Sequence, residues 1–288
     1  MGGAELVEVS SDDERGDKGR FVRGVERMLL DGEAEIGVHS AKDVPAEMPG
    51  GLAIVAVPVR EDAADVWVGI GGSLDEVPEG ARVGTASLRR RAQLLAARPD
   101  LRVSELHGNV DTRLRKLAEE ELDGIVLAAA GLRRLGREDE VSFAIPAETM
   151  TPAAGQGALV LQARTGDTDV SEAAGAIGDE AALRELTAER TVVALLDATC
   201  DTPIGVHAKL TLGNRADDPN AAGGVAEAAG SLLIEAFVGL PDGSEWIRDR
   251  VEVEAAQPAA AGAQLAERLL GAGARDILDR AEDWTRRA

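Results

Sequence analysis

Val83-Gly84-Thr85-Ala86-Ser87-Leu88-Arg89-Arg90-Arg91 compresses a strand end, a small-residue turn and a helix start into a single stretch. Backbone N–H groups at such a helix start attract anions, and guanidinium groups fork onto carboxylates. The same alternation of short β-branched runs and amphipathic stretches extends on both sides, which is the signature of α/β architecture. Strands are predicted at Glu5–Val9, Glu35–Val38, Leu52–Val57, Asp65–Val68, Val83–Gly84 and Gly124–Leu127, and helices at Phe21–Leu30, Leu88–Ala97, Val110–Glu120 and Ala181–Leu196. The Phe21 helix places Phe21, Val25, Met28 and Leu29 on one stripe and is expected to lie on a sheet.

Past residue 200 the pattern changes. Gly205–Thr211, Gly230–Val238 and Glu245–Val253 follow one another as strands, with a Leu240-Pro241-Asp242-Gly243 turn, a helix over Ala261–Leu270 and a helical tail. Consecutive strands joined by Gly/Asp turns predict a small antiparallel sheet covered by helices, a separate C-terminal domain. Asn214–Gly230, rich in Ala and Gly, reads as a mobile loop.

At 288 residues the chain is too long for one compact core. Asp+Glu 52 against Lys+Arg 31 gives a formal charge of -21, and aromatics are 2%. A polyanion would be repelled by most of this surface, and stacking platforms for single-stranded nucleic acid are missing, so no nucleic-acid partner is expected. Lysine is confined to Lys18, Lys42, Lys116 and Lys209, a composition shared by salt-loving proteins and by acidic proteins of GC-rich genomes. One cysteine excludes an intrachain disulfide or multi-thiolate zinc site, and His39, His107 and His207 have no metal-ligand spacing. No apolar run reaches membrane length and the start has no signal-peptide form, so a soluble cytoplasmic monomer is expected.

Chemistry concentrates at strand-to-helix turns. Besides the opening stretch, His107-Gly108-Asn109-Val110-Asp111-Thr112-Arg113 and Ala130-Gly131-Leu132-Arg133-Arg134-Leu135-Gly136 place basic residues there. In an acidic protein such clusters suggest a cleft for a small molecule with several carboxylates or phosphates; each alone is equally compatible with structural salt bridges. Val38-His39-Ser40-Ala41-Lys42-Asp43-Val44-Pro45 ends a strand, where open α/β sheets place ligands, although Asp43 by itself could simply cap a turn. Cys200, in Asp197-Ala198-Thr199-Cys200-Asp201-Thr202-Pro203, has polar turn-forming flanks that favour an exposed loop thiol over a buried hydrophobe.

Together, and in this order, these pieces resemble the hydroxymethylbilane synthase (porphobilinogen deaminase) family. Its marks stand here as Val38–Pro45, Gly84–Arg90, Gly108-Asn109-Val110 with Arg113, Ala130–Gly136, Ala154-Gly155-Gln156-Gly157-Ala158, and Cys200 with Pro203-Ile204-Gly205. The resemblance implies three domains: two resembling the halves of a periplasmic-binding-type α/β fold, and a small C-terminal α+β domain with an antiparallel sheet. Residues 1–58 with 158–176, 63–151 and 180–288 are the corresponding spans. It implies joining of four porphobilinogen units with release of ammonia, on a dipyrromethane cofactor held by a thioether to Cys200. Asp43 matches the catalytic aspartate. Arg89, Arg90, Arg113 and Arg134, with Lys42, match residues that hold pyrrole acetates and propionates, a task suited to bidentate arginine. Ser87 and Gln156 match polar contacts to cofactor or substrate, and Lys18 matches a loop lysine at the cleft mouth.

Two departures stand out. Against the family pattern, the first βα unit, with its anion-binding turn, is expected to be absent from this sequence, and the stretch between Arg15-Gly16-Asp17 and Lys18-Gly19 to be shortened. His107 occupies the place of a usual arginine and lacks its two-pronged geometry. The chain as it stands is therefore expected to be weakly active or unstable. Competing readings are an inactive paralogue, a periplasmic-binding-like sensor, and a thiol enzyme; the last needs a His/Cys pair, and His207 is expected to point elsewhere.

Overall fold

The computed structural model describes residues 5–7, 18–199, 201–211 and 230–287. Cys200, the expected Asn214–Gly230 loop up to residue 229 and the shortened stretch before Lys18 lie outside them. Residues 5–7, at the start of the first expected strand, belong to no strand.

Three sheets organise the chain. The first orders β1 (Gly37–Ser40), β8 (Leu159–Arg164) and β2 (Leu52–Ala56) as β1-β8-β2, entirely antiparallel. Helix α1 (Lys18–Asp31) packs against it, burying Val22, Glu26 and Leu29. The stripe thus includes a carboxylate that the apolar pattern did not contain: Glu26 Oε1 accepts from Gln162 Nε2 at 3.0 Å, and Gln162 Oε1 meets His39 Nε2 at 3.0 Å. Lys18, expected in a loop, is instead the first residue of α1.

The second sheet runs β5-β4-β6-β3-β7, from β3 (Asp65–Gly69), β4 (Arg82–Gly84), β5 (Arg102–Ser104), β6 (Gly124–Ala128) and β7 (Phe143–Ile145). β4 is parallel to β5 and β6, whereas β3 is antiparallel to β6 and β7. Alternation along β3 and β6 sends Trp67 and Val126 into one core with Leu94, and Val66, Val68, Ile125 and Leu127 into another with Leu132. Both faces are therefore covered, by α2 (Leu88–Ala97) on the first and by α3 (Val110–Glu119) and α4 (Ala129–Arg134) on the second. Each fully buried aliphatic contributes roughly 1.5–3 kcal/mol.

The third sheet, β11-β10-β9, is antiparallel throughout and joins β9 (Ile204–Thr211), β10 (Ser231–Gly239) and β11 (Trp246–Glu254). It is covered by α6 (Glu180–Leu195), α7 (Pro258–Gly271) and α8 (Ala274–Arg287), while α5 (Thr168–Gly175) lies on the first sheet. The fold is mixed α/β with a C-terminal antiparallel-sheet unit. Helix α6 serves two cores: Ala182 and Leu186 pack with Val22, Ala41 and Val44, whereas Ala188, Val192 and the C-cap Leu196 pack on the third sheet.

Candidate active site

Strand β1 ends in a 3-10 turn, Ala41–Asp43, that carries both Lys42 and Asp43. Among the described residues β1 pairs on one side only, with β8, and its Val38 is 59% exposed. The turn leans on the loop before β8: Ala41 N donates to Ala158 O at 3.0 Å, and Lys42 Nζ to Gln156 Oε1 at 3.4 Å. Only glycine fits at position 155, where φ is +73° and a Cβ would stand 2.8 Å from the Ala41 Cβ.

Gln156 carries the connection inward. Its Nε2 donates to Ala63 O at 2.7 Å and to Asp65 Oδ1 at 3.0 Å. Asp65 also accepts from Arg89 Nη1 (2.6 Å) and from Arg90 Nε (2.9 Å), with Arg90 Nη2 2.8 Å away in the same ion pair. Burial alone would raise the Asp65 pKa, but the two guanidiniums hold its carboxyl well below the ordinary range. Arg89 Nη1 further donates to Thr151 O, and Arg90 Nη1 to Val126 O. Ser87, the N-cap of α2, accepts from Arg90 N at 3.4 Å. Part of the arginine pair's donor capacity is thus used inside the protein, because two guanidiniums cannot be buried without an internal anion.

One carboxylate does not balance the cations gathered here. Arg113, on α3, forms no ion pair among the described residues, and its Nε is buried without a hydrogen-bond partner. Burial, and then the like charge of Arg90, push its pKa down to about 10, while Asp43 acts in the opposite sense. Arg134 Nη2 donates to Gly157 O at 2.7 Å, beside Gln156, and pairs with no carboxylate among the described residues. Lys42, Arg89, Arg90, Arg134 and Gln156 are thus joined through Asp65 and the 156–157 loop, and Arg113 shares an electrostatic field with Asp43. His107 stands apart, exposed, with Nε2 3.1 Å from Glu105 Oε2.

Several site-building residues escaped the sequence reading. Asp65 was legible in principle, since a carboxylate beginning Asp65-Val66-Trp67-Val68 demands a buried partner. Arg60, Glu189 and Arg190 were not. Glu189 is fully buried and accepts from Arg60 Nη1 (2.7 Å), Gly155 N (2.6 Å) and Ala208 N (2.8 Å). His207, expected to point elsewhere, has Nδ1 3.4 Å from Glu189 Oε1.

The protein is thus a mixed α/β protein that brings guanidiniums from its strand-end turns near an aspartate-bearing turn. Comparison with known proteins specifies it. The family described as "Porphobilinogen deaminase, dipyromethane cofactor binding domain" matches residues 7–172, and "Porphobilinogen deaminase, C-terminal domain" matches residues 183–271. The chain belongs to the porphobilinogen deaminase family. The porphobilinogen deaminase of Syntrophus aciditrophicus is 42% identical over 269 residues, covering 93% of this chain and 82% of that protein. Those of Thiobacillus denitrificans (43%; 92% and 81%) and Pelotomaculum thermopropionicum (44%; 94% and 82%) are similarly related. Among solved structures, the periplasmic VFT2 domain of Bordetella pertussis BvgS matches 54% of this chain and 66% of that chain at 20% identity with a TM-score of 0.35, too distant to argue from.

Proposed function

We propose that this chain joins four porphobilinogen units head to tail, releasing one ammonia per unit, and that water then frees hydroxymethylbilane for tetrapyrrole synthesis. The cationic surplus around Asp43 carries the reading: each pyrrole brings an acetate and a propionate, and the unbalanced Arg113 and Arg134 suit such side chains. Arg89, Arg90 and Lys42 add positive charge, held by Asp65 and Gln156. Ser87 and Gln156 would supply polar contacts, and Lys18 and His107 would add to the binding of the carboxylates.

The chemistry at each unit is loss of an aminomethyl nitrogen. The C–N bond breaks as the pyrrole ring donates electrons, ammonia leaves with a proton, and the ring nitrogen shares the positive charge left behind. The Asp43 carboxylate would hold that N–H, stabilise the charge and pass protons. Bond formation to the next ring returns a proton, which the same carboxylate accepts.

Dipyrromethane fits the residues present, since the orphaned Arg113 Nε and the carboxylate-poor cluster call for an anionic guest. When bound, it supplies the electron-rich pyrrole carbon to which the first unit is joined. Arg113, Arg134, Arg89 and Arg90 would hold its carboxylates. Cys200, the one cysteine of the chain, would tether it through a thioether. Its neighbours form a tight turn, with Thr199 N donating to Thr202 Oγ1 at 2.8 Å and Thr202 N to Thr199 O at 3.1 Å. Action as a cytoplasmic monomer belongs to the same reading; among the described residues no helix is long and apolar enough to cross a membrane.

Intact mass of the purified chain is expected to exceed the sequence mass by one dipyrromethane, and Cys200→Ala to remove the excess. Asp43→Asn is expected to retain it while abolishing consumption of porphobilinogen. A bare wild-type polypeptide, or full turnover by Asp43→Asn, would overturn the reading.

A further inference from the structure

Arg190 lies on α6 in register with Ala182 and Leu186, each four residues apart and so on one helix face. Ala182 and Leu186 enter the same core as Ala41 and Val44. The stripe therefore runs beneath the 3-10 turn and ends in a guanidinium at its exit. There Arg190 Nη1 donates to Val44 O at 3.1 Å, and Nη2 to Pro45 O at 2.6 Å and Ala46 O at 3.0 Å.

These three consecutive carbonyls follow directly on Asp43. The turn closes with Val44 N donating to Ala41 O at 3.3 Å, and beyond it the segment joins no helix or strand. Carbonyls outside a ladder need donors from elsewhere, and one fork supplies all three. The cation has no carboxylate partner among the described residues, and burial lowers its pKa. The side chain is half-buried, and its donors go to these carbonyls rather than to a counter-ion. The preceding side of the turn is fixed independently, by pairing of Ser40 with Leu159 and by the Ala41–Ala158 hydrogen bond. Asp43 is consequently held from the first sheet on one side and from α6 on the other.

We propose that Arg190 is a positioning residue for the reaction: by gathering the carbonyls of residues 44–46 it sets the angle at which the turn presents the Asp43 carboxylate. The proposal rests on the role given to Asp43 above. It makes α6, whose C-terminal end leads towards Cys200, part of the scaffold of the proton-handling group.

Steady-state kinetics with porphobilinogen on Arg190→Ala and Arg190→Lys in the full chain test it. A displacement of about 1 Å at a reacting group costs on the order of 100-fold in rate. Arg190→Ala is therefore expected to lose kcat on that scale, with KM, the intact-mass excess and the melting temperature little changed, and millimolar guanidinium is expected to restore part of the rate. Arg190→Lys, a cation that cannot fork over three carbonyls, is expected to fall between the two. Parental kcat in both variants overturns the proposal. So does a loss of rate accompanied by a lower melting temperature and a missing mass excess without guanidinium rescue, because that is a purely structural role. Should Arg190→Ala fail to fold, Arg190→Lys decides: lower kcat at parental KM supports positioning, and parental kcat refutes it. Full turnover by Asp43→Asn, measured alongside, would remove the underlying reading and the proposal with it.

Discussion

Arg60 and Glu189 meet inside the protein through two hydrogen bonds, Nη1 to Oε1 at 2.7 Å and Nη2 to Oε2 at 3.2 Å. Around the pair converge the loop before β8, through Gly155 N on Glu189 and Gln156 O on Arg60 Nε, and strand β9, through Ala208 N on Glu189. Removing one member leaves the other charge buried with only a 3.4 Å contact in its place, Glu185 for Arg60 and His207 for Glu189. Glu189→Ala or Arg60→Ala is expected to cost about 3–5 kcal/mol, read as a lower midpoint in urea unfolding. Replacing both by Leu and Met is expected to recover only part, because Gly155 N and Ala208 N would still lack an acceptor.

Acid sensitivity follows from the same carboxylates. Asp65 and Glu189 are buried; burial raises their pKa values, but neighbouring arginines hold both below the ordinary range. A depressed native pKa means the unfolded chain binds protons first as pH falls. The stabilisation is complete above the ordinary carboxylate value of about 4 and is lost progressively below it. Unfolding free energy measured between neutral and strongly acid pH is expected to fall on that limb. Asp65→Asn and Glu189→Gln are expected to start lower at neutral pH and to fall less steeply. Equal slopes in parent and variants would show that these groups do not carry the acid transition.

Long periodic elements were legible in the sequence, and networks were not. Helix Leu88–Ala97 has the bounds expected, and the three C-terminal strands fall within one or two residues of expectation. β5 and β7, at three residues each, are too short for a period to register. β8 was missed although Leu159-Val160-Leu161 is an apolar run after a glycine turn, and it is the strand on which the first sheet is assembled. The residues of the candidate site stood out in the sequence because strand-to-helix turns announce themselves by Gly, Ser and Arg. Glu189 and Arg190 were unreadable, since adjacent opposite charges on a helix look like a solvated face; the burial of Glu189 is decided by Arg60 and the contacts of Arg190 by residues 44–46, far away in sequence.

Gly155 tests how tightly the turn and the loop are coupled. Its φ of +73° is unfavourable for any side chain, and a Cβ would also lie 2.9 Å from Lys42 N. Gly155→Ala is expected to lose about 1–3 kcal/mol and, because the added atom presses on the turn bearing Asp43, to lose kcat as well. Gly166→Ala is the matched control: φ is +87° but nothing lies within 4 Å of its Cβ position. It is expected to lose a similar strain energy with kcat intact. A parental rate in both would mean that the turn tolerates displacement.

His107 offers a gain of function. It precedes Asn109, whose side chain caps α3 by accepting from Thr112 N at 2.8 Å, and Arg113 follows one helical turn on. A guanidinium at 107 would extend the cation cluster along the entrance of α3, where pyrrole carboxylates are proposed to bind. The position is half-exposed, so screening reduces the benefit of a charge-assisted bond to about 1 kcal/mol, roughly 5-fold in KM. Glu105, 3.1 Å from the present imidazole, would compete for the new side chain. His107→Arg combined with Glu105→Gln is therefore expected to lower KM more than His107→Arg alone, with kcat little changed and the gain shrinking as salt is added. If neither variant shifts KM, residue 107 lies off the path of the substrate carboxylates, and the cluster ends at Arg113.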